Sequence, residues 1–203
     1  MSKLLFIDVE TTGVNPNKNG IIQLACLIEI DGKVVDKCHL KIKPFEKDVI
    51  EQSALDTVGV TLEEIMQYED PTNAYWQFRK MLEKYINVYD KNKANKFIPV
   101  GYNVQFDLDF LDAFFRKNQD KYIGSFFNWR KLDVLQMFYW RHYLGIDSLE
   151  SYKLEKVCEK YKVPLEAHDA FNDIVATRTL FKMLEKQILF TTEQEGTNGE
   201  TSS

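Results

Sequence analysis

The chain has 203 residues, 44% of them hydrophobic, which is enough for one globular domain with a well-buried core. Its net charge of −5 argues against a protein that binds nucleic acid mainly through a broad basic surface. No run approaches the roughly 20 apolar residues of a membrane span, and the N-terminal residues lack a signal-peptide pattern, so we expect a cytoplasmic protein with no membrane partner.

The first part of the chain predicts a three-stranded meander. Lys3 to Val9 is a short apolar run that ends in acidic residues, as is typical of a buried strand. A turn at 11–13 and a loop rich in Asn, Pro and Gly precede a second strand over Ile21 to Ile30. Asp31-Gly32 is a strong hairpin signal that leads into a third strand over Lys33 to Lys43.

Helical patterns dominate the rest of the chain. Thr61 and Glu64 predict a capping box that opens a short helix, and Pro71 leads into a long amphipathic helix. A further strand and four further helices are predicted, in chain order, at Phe97–Tyr102, Gln105–Lys117, Asp133–Tyr143, Leu149–Tyr161 and His168–Lys186. This succession indicates an α/β domain with a mixed β-sheet flanked by α-helices.

Two segments and the cysteines complete the organisation. One domain is predicted over residues 1–190, followed by a disordered polar tail at 191–203. The aromatic stretch 126–143 has no pattern that indicates a role. The three cysteines are odd in number and far apart in the sequence, without a CxxC pair, so we expect reduced structural thiols: Cys26, Cys38 and Cys158.

The first cluster with chemical potential is an acid pair at the end of the first strand. Asp8 and Glu10 are two apart, so their side chains project from the same face. Burying two adjacent carboxylates is costly unless a cation lies between them, and hard divalent cations prefer oxygen ligands. Pairs with this spacing also arise by chance in a chain with 31 acidic residues, so this motif alone is weak.

Two more clusters lie where helices begin. Asp107 follows a strand, where it also suits the helix dipole without any catalytic role. If Asp169 caps the last helix, His168 on the preceding turn and Asp173 within the helix can face one site. A lone histidine there is usually a surface residue, but imidazole is well suited to accept a proton from water near neutral pH. Together the clusters predict a two-metal phosphoryl-transfer site with its own base.

The three clusters resemble the motifs of the DnaQ-like 3′–5′ exonucleases, in the branch named for its four carboxylates and a histidine base. FIDVETTG matches the family's apolar run followed by Asp-x-Glu-Thr-Thr-Gly, and HDAFNDIVAT matches His-x-Ala-x-x-Asp followed by Ala-Thr. NVQFD matches Asn-x-x-Phe-Asp, which selects Asp107 over Asp109. The similarity runs from about Lys3 to Lys186, and Tyr102 departs from the histidine that often precedes the Asn.

The resemblance implies a ribonuclease H-like fold and an enzyme that releases nucleoside monophosphates from a 3′ end. His168 would take the proton from the attacking water. Two Mg²⁺ ions about 4 Å apart, for which Mn²⁺ would substitute, would activate that water and stabilise the leaving oxygen. The carboxylates that would hold them are Asp8, Glu10, Asp107 and Asp173.

The resemblance also implies how the substrate is held. The backbone at Thr11, Thr12 and Gly13 would meet the terminal nucleotide. Phe106 would either line the base pocket or belong to the core.

The substrate and the partner are left open by the sequence. The TTG after the acids and the GVT at 59–61 resemble the proofreading subunit of bacterial replicative polymerases, so we favour single-stranded DNA 3′ ends, in proofreading or repair. An RNA-trimming exonuclease or an oligoribonuclease is the alternative, because nothing shows whether a 2′-hydroxyl is accepted. The non-enzyme alternative is an inert nucleic-acid- or protein-binding module of the same fold. The tail either tethers a polymerase or is a plain solvated end.

Overall fold

The structure, a computed structural model, describes the backbone of residues 2–198 and the side chains of residues 2–188. A five-stranded sheet in the order β3-β2-β1-β4-β5 forms its centre. The strands are β1 (Lys3–Thr11), β2 (Ile21–Ile30), β3 (Lys33–Lys41), β4 (Ile98–Gly101) and β5 (Leu132–Asp133). Strands β1, β2 and β3 pair antiparallel, whereas β4 runs parallel to both β1 and β5, so the predicted mixed sheet is confirmed.

Helices cover both faces of this sheet. They are α1 (Gln52–Val58), α2 (Leu62–Ile65), α3 (Pro71–Glu83), α4 (Val104–Lys117), α5 (Val134–Tyr143), α6 (Leu154–Tyr161) and α7 (Ala170–Asn198). Within the part of the chain described, none of them combines the length and the apolar character that a membrane crossing requires. The predicted α/β class is therefore confirmed.

The central strand β1 is buried on both sides, which explains its continuous apolar run. Leu5 and Ile7 face a cluster that includes side chains of α3 and α4. Leu4 and Phe6 face the opposite cluster, which includes side chains of α5, α6 and α7. Asp8 and Glu10 continue the second series, so they project toward the sheet face that α7 covers.

Two predicted local signals are confirmed in detail. Asp31 and Gly32 both have positive φ, 49° and 81°, the backbone that a two-residue hairpin with the natural strand twist requires. Thr61 caps α2 through the backbone N–H of Glu64, whose carboxylate in turn accepts from the backbone N–H of Thr61.

Several boundaries differ from the prediction. Helix α1 and strand β5 were not singled out, because α1 buries only Leu55 and β5 has two residues, too few for a periodic pattern. Helix α6 begins at Leu154, not at Leu149, and β3 ends at Lys41, not at Lys43.

The division into a domain over 1–190 and a disordered tail stays a prediction, and the backbone of 191–198 continues helix α7. The backbone of α7 continues through Asn198, because each residue added to an established helix gains a hydrogen bond without a new nucleation step. Residues 199–203 of the predicted tail lie outside the described part of the chain.

Candidate active site

Asp8 and Glu10 lie at the end of the central strand, as predicted. The pairing of β1 with β2 shifts after Glu10, and this irregularity ends the regular ladder beside the acids. Burial raises the pKa of Asp8 well above its usual value, and the neighbouring carboxylates of Asp107 and Asp173 raise it further. Burial, followed by the charge of Asp173, raises the pKa of Glu10 to about 7. The two acids therefore belong to a cluster of closely spaced carboxyl groups.

Asp107 reaches this site from the first turn of α4. The backbone of Asn103 has φ 64°, which turns the chain from β4 into the helix. Asp107 is buried, and its Oδ1 accepts a 3.0 Å hydrogen bond from the backbone N–H of Val9, between the two acids of β1. Asp109, in contrast, is exposed and accepts a hydrogen bond from the Gln105 side chain. The structure thus places Asp107, and not Asp109, beside the acid pair.

Asp133 fixes the start of the helix that carries Asp107. Its Oδ1 accepts hydrogen bonds from the backbone N–H of Asn103 and from that of Leu135, both at 3.0 Å. It therefore caps α5 and holds the beginning of α4 at the same time. The sequence placed Asp133 at the start of a predicted helix but carried no signal for this link between two helices.

The start of α7 is held by an equally specific set of contacts. Asp169 caps the helix, as predicted, by accepting from the backbone N–H of Phe171 and of Asn172 at 3.1 and 3.0 Å. The backbone N–H of Ala170 donates to Oε1 of Gln23 on β2, at 3.3 Å. The same Gln23 oxygen lies 3.2 Å from Nε2 of His39 on β3. Gln23 and His39 were not among the predicted site residues.

His168 and Asp173 converge on the acid pair from this helix start. Candidate ligand atoms of Glu10, His168 and Asp173 all lie within 4.8 Å of one another. His168 has a left-handed backbone, with φ 68°, and its Nε2 lies 3.6 Å from Oε1 of Glu155 on α6. Burial raises the pKa of Asp173 to about 6, with His168 opposing the shift.

This donor set fits a hard divalent cation. Oδ1 of Asp173 is buried and has no hydrogen-bond partner among the described residues. An orphaned buried carboxylate oxygen is costly in itself, and clustered carboxylates with raised pKa values repel one another. Oxygen ligands of this kind are those that Mg²⁺ and similar ions prefer, and a bound cation would remove both costs. The residues present therefore fit a divalent cation, and the assignment of Asp8, Glu10, Asp107 and Asp173 as its ligands stays a prediction.

The turn after Glu10 is held by hydrogen bonds to neighbouring loops, and it forms one side of a groove. Thr12 is fully buried: its hydroxyl donates to the carbonyl of Val49, and its backbone N–H donates to that of Gly20. A Cβ at Gly13 would come within 2.4 Å of the Asn19 and Glu51 side chains, so only glycine fits there. Thr12 therefore shapes the turn but does not line the groove.

The groove itself lies between the end of β1 and helix α1. It has a volume of about 260 Å³, and its lining consists of Glu10, Thr11, Gly13, Val14, Glu51, Ser53, Ala54, Thr57 and Val58. Val14 is 77% exposed at its edge. Phe106 lies elsewhere, partly buried on α4, with its ring centroid 4.8 Å from that of Phe110.

The chain is similar in sequence to known proteins. The chain is 26% identical over 187 residues to a PolC-type DNA polymerase III of Lacticaseibacillus paracasei, covering 92% of this chain but only 11% of the polymerase. It is also 26% identical to ribonuclease T of Actinobacillus pleuropneumoniae, covering 87% of this chain and 80% of that protein.

The fold is similar to that of a solved structure, E. coli exonuclease I in complex with a dT13 oligonucleotide. The TM-score is 0.76 at 22% identity, covering 95% of this chain and 43% of that one. The predicted ribonuclease H-like fold is thus confirmed. A family model described as exonuclease, of the RNase T type, matches residues 5–181 and so includes every residue of the acidic cluster. The chain belongs to this exonuclease family.

Proposed function

We propose that the chain is a metal-dependent 3′–5′ exonuclease that removes nucleoside monophosphates from single-stranded nucleic acid, with DNA as its first substrate. The observation that carries this proposal is the convergence of Glu10, His168 and Asp173 within 4.8 Å, beside a buried Asp107. An inert binding module has no use for such costly burial of acids, which disfavours the non-enzyme alternative.

The carboxylates are proposed to hold the metal. Asp8 and Glu10 would contribute from β1, Asp107 from α4, and Asp173 from α7. Two Mg²⁺ ions, or Mn²⁺ in their place, supply Lewis-acid stabilisation of the charge that develops on the phosphate. The hydrogen bond from the Val9 N–H to Asp107 fixes one carboxylate in the required orientation before any ion binds.

His168 is proposed to be the general base. Its side chain is 45% exposed, so water reaches the ring, and it lies beside the carboxylates without being buried among them. The neutral imidazole would accept the proton of the attacking water. Glu155, at 3.6 Å from Nε2, would stabilise the imidazolium that results.

The terminal nucleotide is proposed to occupy the groove beside Glu10. Thr11, Gly13 and Val14 form one wall and α1 the other, so a sugar and base placed there would bring the last phosphate to the acids. Thr12 would act only through the shape of the turn. Phe106, packed on Phe110, would contribute to the core more than to the base pocket.

The relatives support a nucleic-acid substrate but differ in its kind. PolC-type polymerases and exonuclease I bound to an oligo-dT favour single-stranded DNA, and a polymerase as partner rests only on the former. Ribonuclease T favours RNA trimming as the second candidate, because the chain matches 80% of its length. The catalytic unit would be residues 1–190, which contain the whole family match.

Matched single-stranded DNA and RNA of one sequence, labelled at the 5′ end, test the proposal directly. With Mg²⁺, we expect a ladder of products shortened from the 3′ end, formed faster from DNA. Asp107→Asn should abolish the ladder, whereas Asp109→Asn on the same helix should leave it unchanged, because Asp109 is exposed and outside the site.

The outcomes separate the alternatives. A faster ladder from RNA would favour the RNA-trimming enzyme. Immediate release of the label as a mononucleotide would mean that the enzyme degrades the strand from its 5′ end. Wild-type activity in Asp107→Asn would show that the proposed metal site is not required for cleavage.

A further inference from the structure

Two cysteines that are distant in sequence lie in contact across neighbouring strands. Cys26 on β2 and Cys38 on β3 are directly paired in the antiparallel ladder. Their Sγ atoms are 3.3 Å apart. The sequence predicted unrelated thiols, and the pairing of β2 with β3 brings them together.

This geometry needs little change to form a disulfide. Directly opposed residues of antiparallel strands have Cα atoms about 4.5 to 5.5 Å apart. Disulfides span Cα separations of about 4.4 to 6.8 Å, with the sulfurs about 2.05 Å apart. The sulfurs of Cys26 and Cys38 can therefore close the remaining distance by side-chain rotation, without displacing either strand.

The two thiols differ in their access to solvent. Cys26 is fully buried, and burial raises the pKa of its thiol well above the usual value. Cys38 is partly exposed, and β3 is the edge strand of the sheet. A small reagent therefore meets Cys38 first, and Cys26 reacts only with a sulfur already activated beside it.

We propose that Cys26 and Cys38 form a reversible redox site that is oxidised by low-molecular-weight disulfides. The Cys38 thiolate attacks one sulfur of the reagent, and one reagent thiol leaves. The Cys26 thiol then loses its proton and attacks the Cys38 sulfur, and the second reagent thiol leaves. In total, two protein thiols become one disulfide while one small disulfide becomes two thiols. Cys158 takes no part, since it lies in the cluster on the other face of the sheet.

The proposal is independent of the exonuclease chemistry. Cys26 lies opposite Ile7 and shares its sheet face, whereas Asp8 projects to the other face. The bond would tie edge strand β3 to β2 and restrict the unfolded chain, so the oxidised protein should melt at a higher temperature. We expect the rate of nucleic-acid hydrolysis to be the same in both forms.

Redox titration of the native full chain in glutathione buffers tests the proposal. After equilibration, free thiols are blocked with an alkylating agent, and the masses of the intact protein and of its peptides are measured. We expect one two-electron transition in which two of the three thiols become protected, a Cys26–Cys38 cross-linked peptide, and full reversal by dithiothreitol. Retention of all three thiols in the most oxidising buffer, or a bond that forms only in denaturant, would overturn it.

Three variants assign the roles of the thiols. Cys158→Ala should still lose two thiols, whereas Cys38→Ser should keep Cys26 fully reduced. Cys26→Ala should stop at a glutathione adduct on Cys38, because the second step has lost its nucleophile. A bond that involves Cys158, or unchanged oxidation of Cys38→Ser, would contradict the assignment even if Cys26→Ala failed to fold.

Discussion

His168 has a left-handed backbone conformation that residues other than glycine rarely adopt. Its φ of 68° costs on the order of 1 kcal/mol or more, and such strain persists only where the surroundings impose it. Here the Asp169 cap and the bond from Ala170 to Gln23 fix the chain on its C-terminal side. With this backbone conformation, the ring lies beside Glu10 and Asp173.

Removing the imidazole tests its role as base. His168→Asn should lower single-turnover cleavage by roughly 10²- to 10⁴-fold, the usual worth of a positioned base, while Asn still tolerates the left-handed backbone. Mg²⁺ binding, followed by calorimetry, should be largely retained. His168→Gly should be equally slow but more stable, since glycine removes the strain. Loss of metal binding in both variants would make the ring a ligand instead.

The raised pKa of Asp173 predicts how the metal-free protein responds to pH. With a folded pKa of about 6, above the usual value, the unfolded chain releases this proton first as the pH rises. Stability is therefore lost between about pH 4 and pH 6 and stays lower above that range. Asp173→Asn removes this ionisation. The melting temperature of the variant should therefore be a few degrees above that of the wild type at pH 8, and equal to it at pH 4.

Scanning calorimetry in a metal chelator measures this difference. Asp109→Asn serves as the control, because that carboxylate is exposed and lies outside the acidic cluster. Added Mg²⁺ should raise the melting temperature of the wild type at pH 8 more than that of Asp173→Asn. Equal melting curves at pH 8 without metal would mean that the carboxylates do not repel as described.

At the scale of elements, β-strand register explains what the sequence could not show. The turn at Asp31-Gly32 was predicted, and a regular ladder from it would place Lys37 opposite Cys26. A bulge between Ile28 and Glu29 shifts the pairing by one residue and brings Cys38 there instead. The residues around the bulge carry no signal for it, so the cysteine contact was out of reach of sequence patterns.

The position of Asp107, in contrast, could be predicted from the sequence. Periodicity alone allowed Asp107 or Asp109, and only the Asn-x-x-Phe-Asp spacing chose between them. That spacing has a physical basis: Asn103 takes the left-handed turn, and the fourth residue after it then reaches the Val9 N–H in the first turn of α4. A motif with fixed backbone geometry thus predicts a side chain's position better than burial patterns do.

The C-terminal end of α7 should contribute little. Truncation after Phe190 is expected to leave the melting temperature and the cleavage rate unchanged, because 191–203 contains no apolar residue to bury. Leu184→Ala on the same helix is the comparison: that side chain is buried in the core, and its loss should cost about 2 to 4 kcal/mol. Both are measured by thermal unfolding, and a drop of several degrees on truncation would show that the segment docks.

At the scale of the whole molecule, the mixed sheet and its helical layers followed from the order of apolar runs and turns. The positions of the aromatic side chains in 126–143 did not follow from the sequence, because some of these side chains are buried and others are exposed. Phe126 and Phe138 are buried in different core clusters, whereas Trp129, Trp140 and Tyr143 are exposed. Composition gives no means of separating these groups, since the boundary depends on how β5 and α5 pack.

The acidic cluster draws its members from opposite ends of the chain, so it exists only in the assembled fold. A break between the exposed Lys91 and Asn92 would leave Asp8 and Glu10 on one fragment and Asp107, His168 and Asp173 on the other. Neither fragment should cleave nucleic acid, and mixing them should restore turnover through the parallel pairing of β1 with β4. Gel filtration with a fluorescent oligonucleotide assay would detect this, and activity in either fragment alone would rule it out. Hydrolysis would then serve as a complementation reporter that counts reunited molecules.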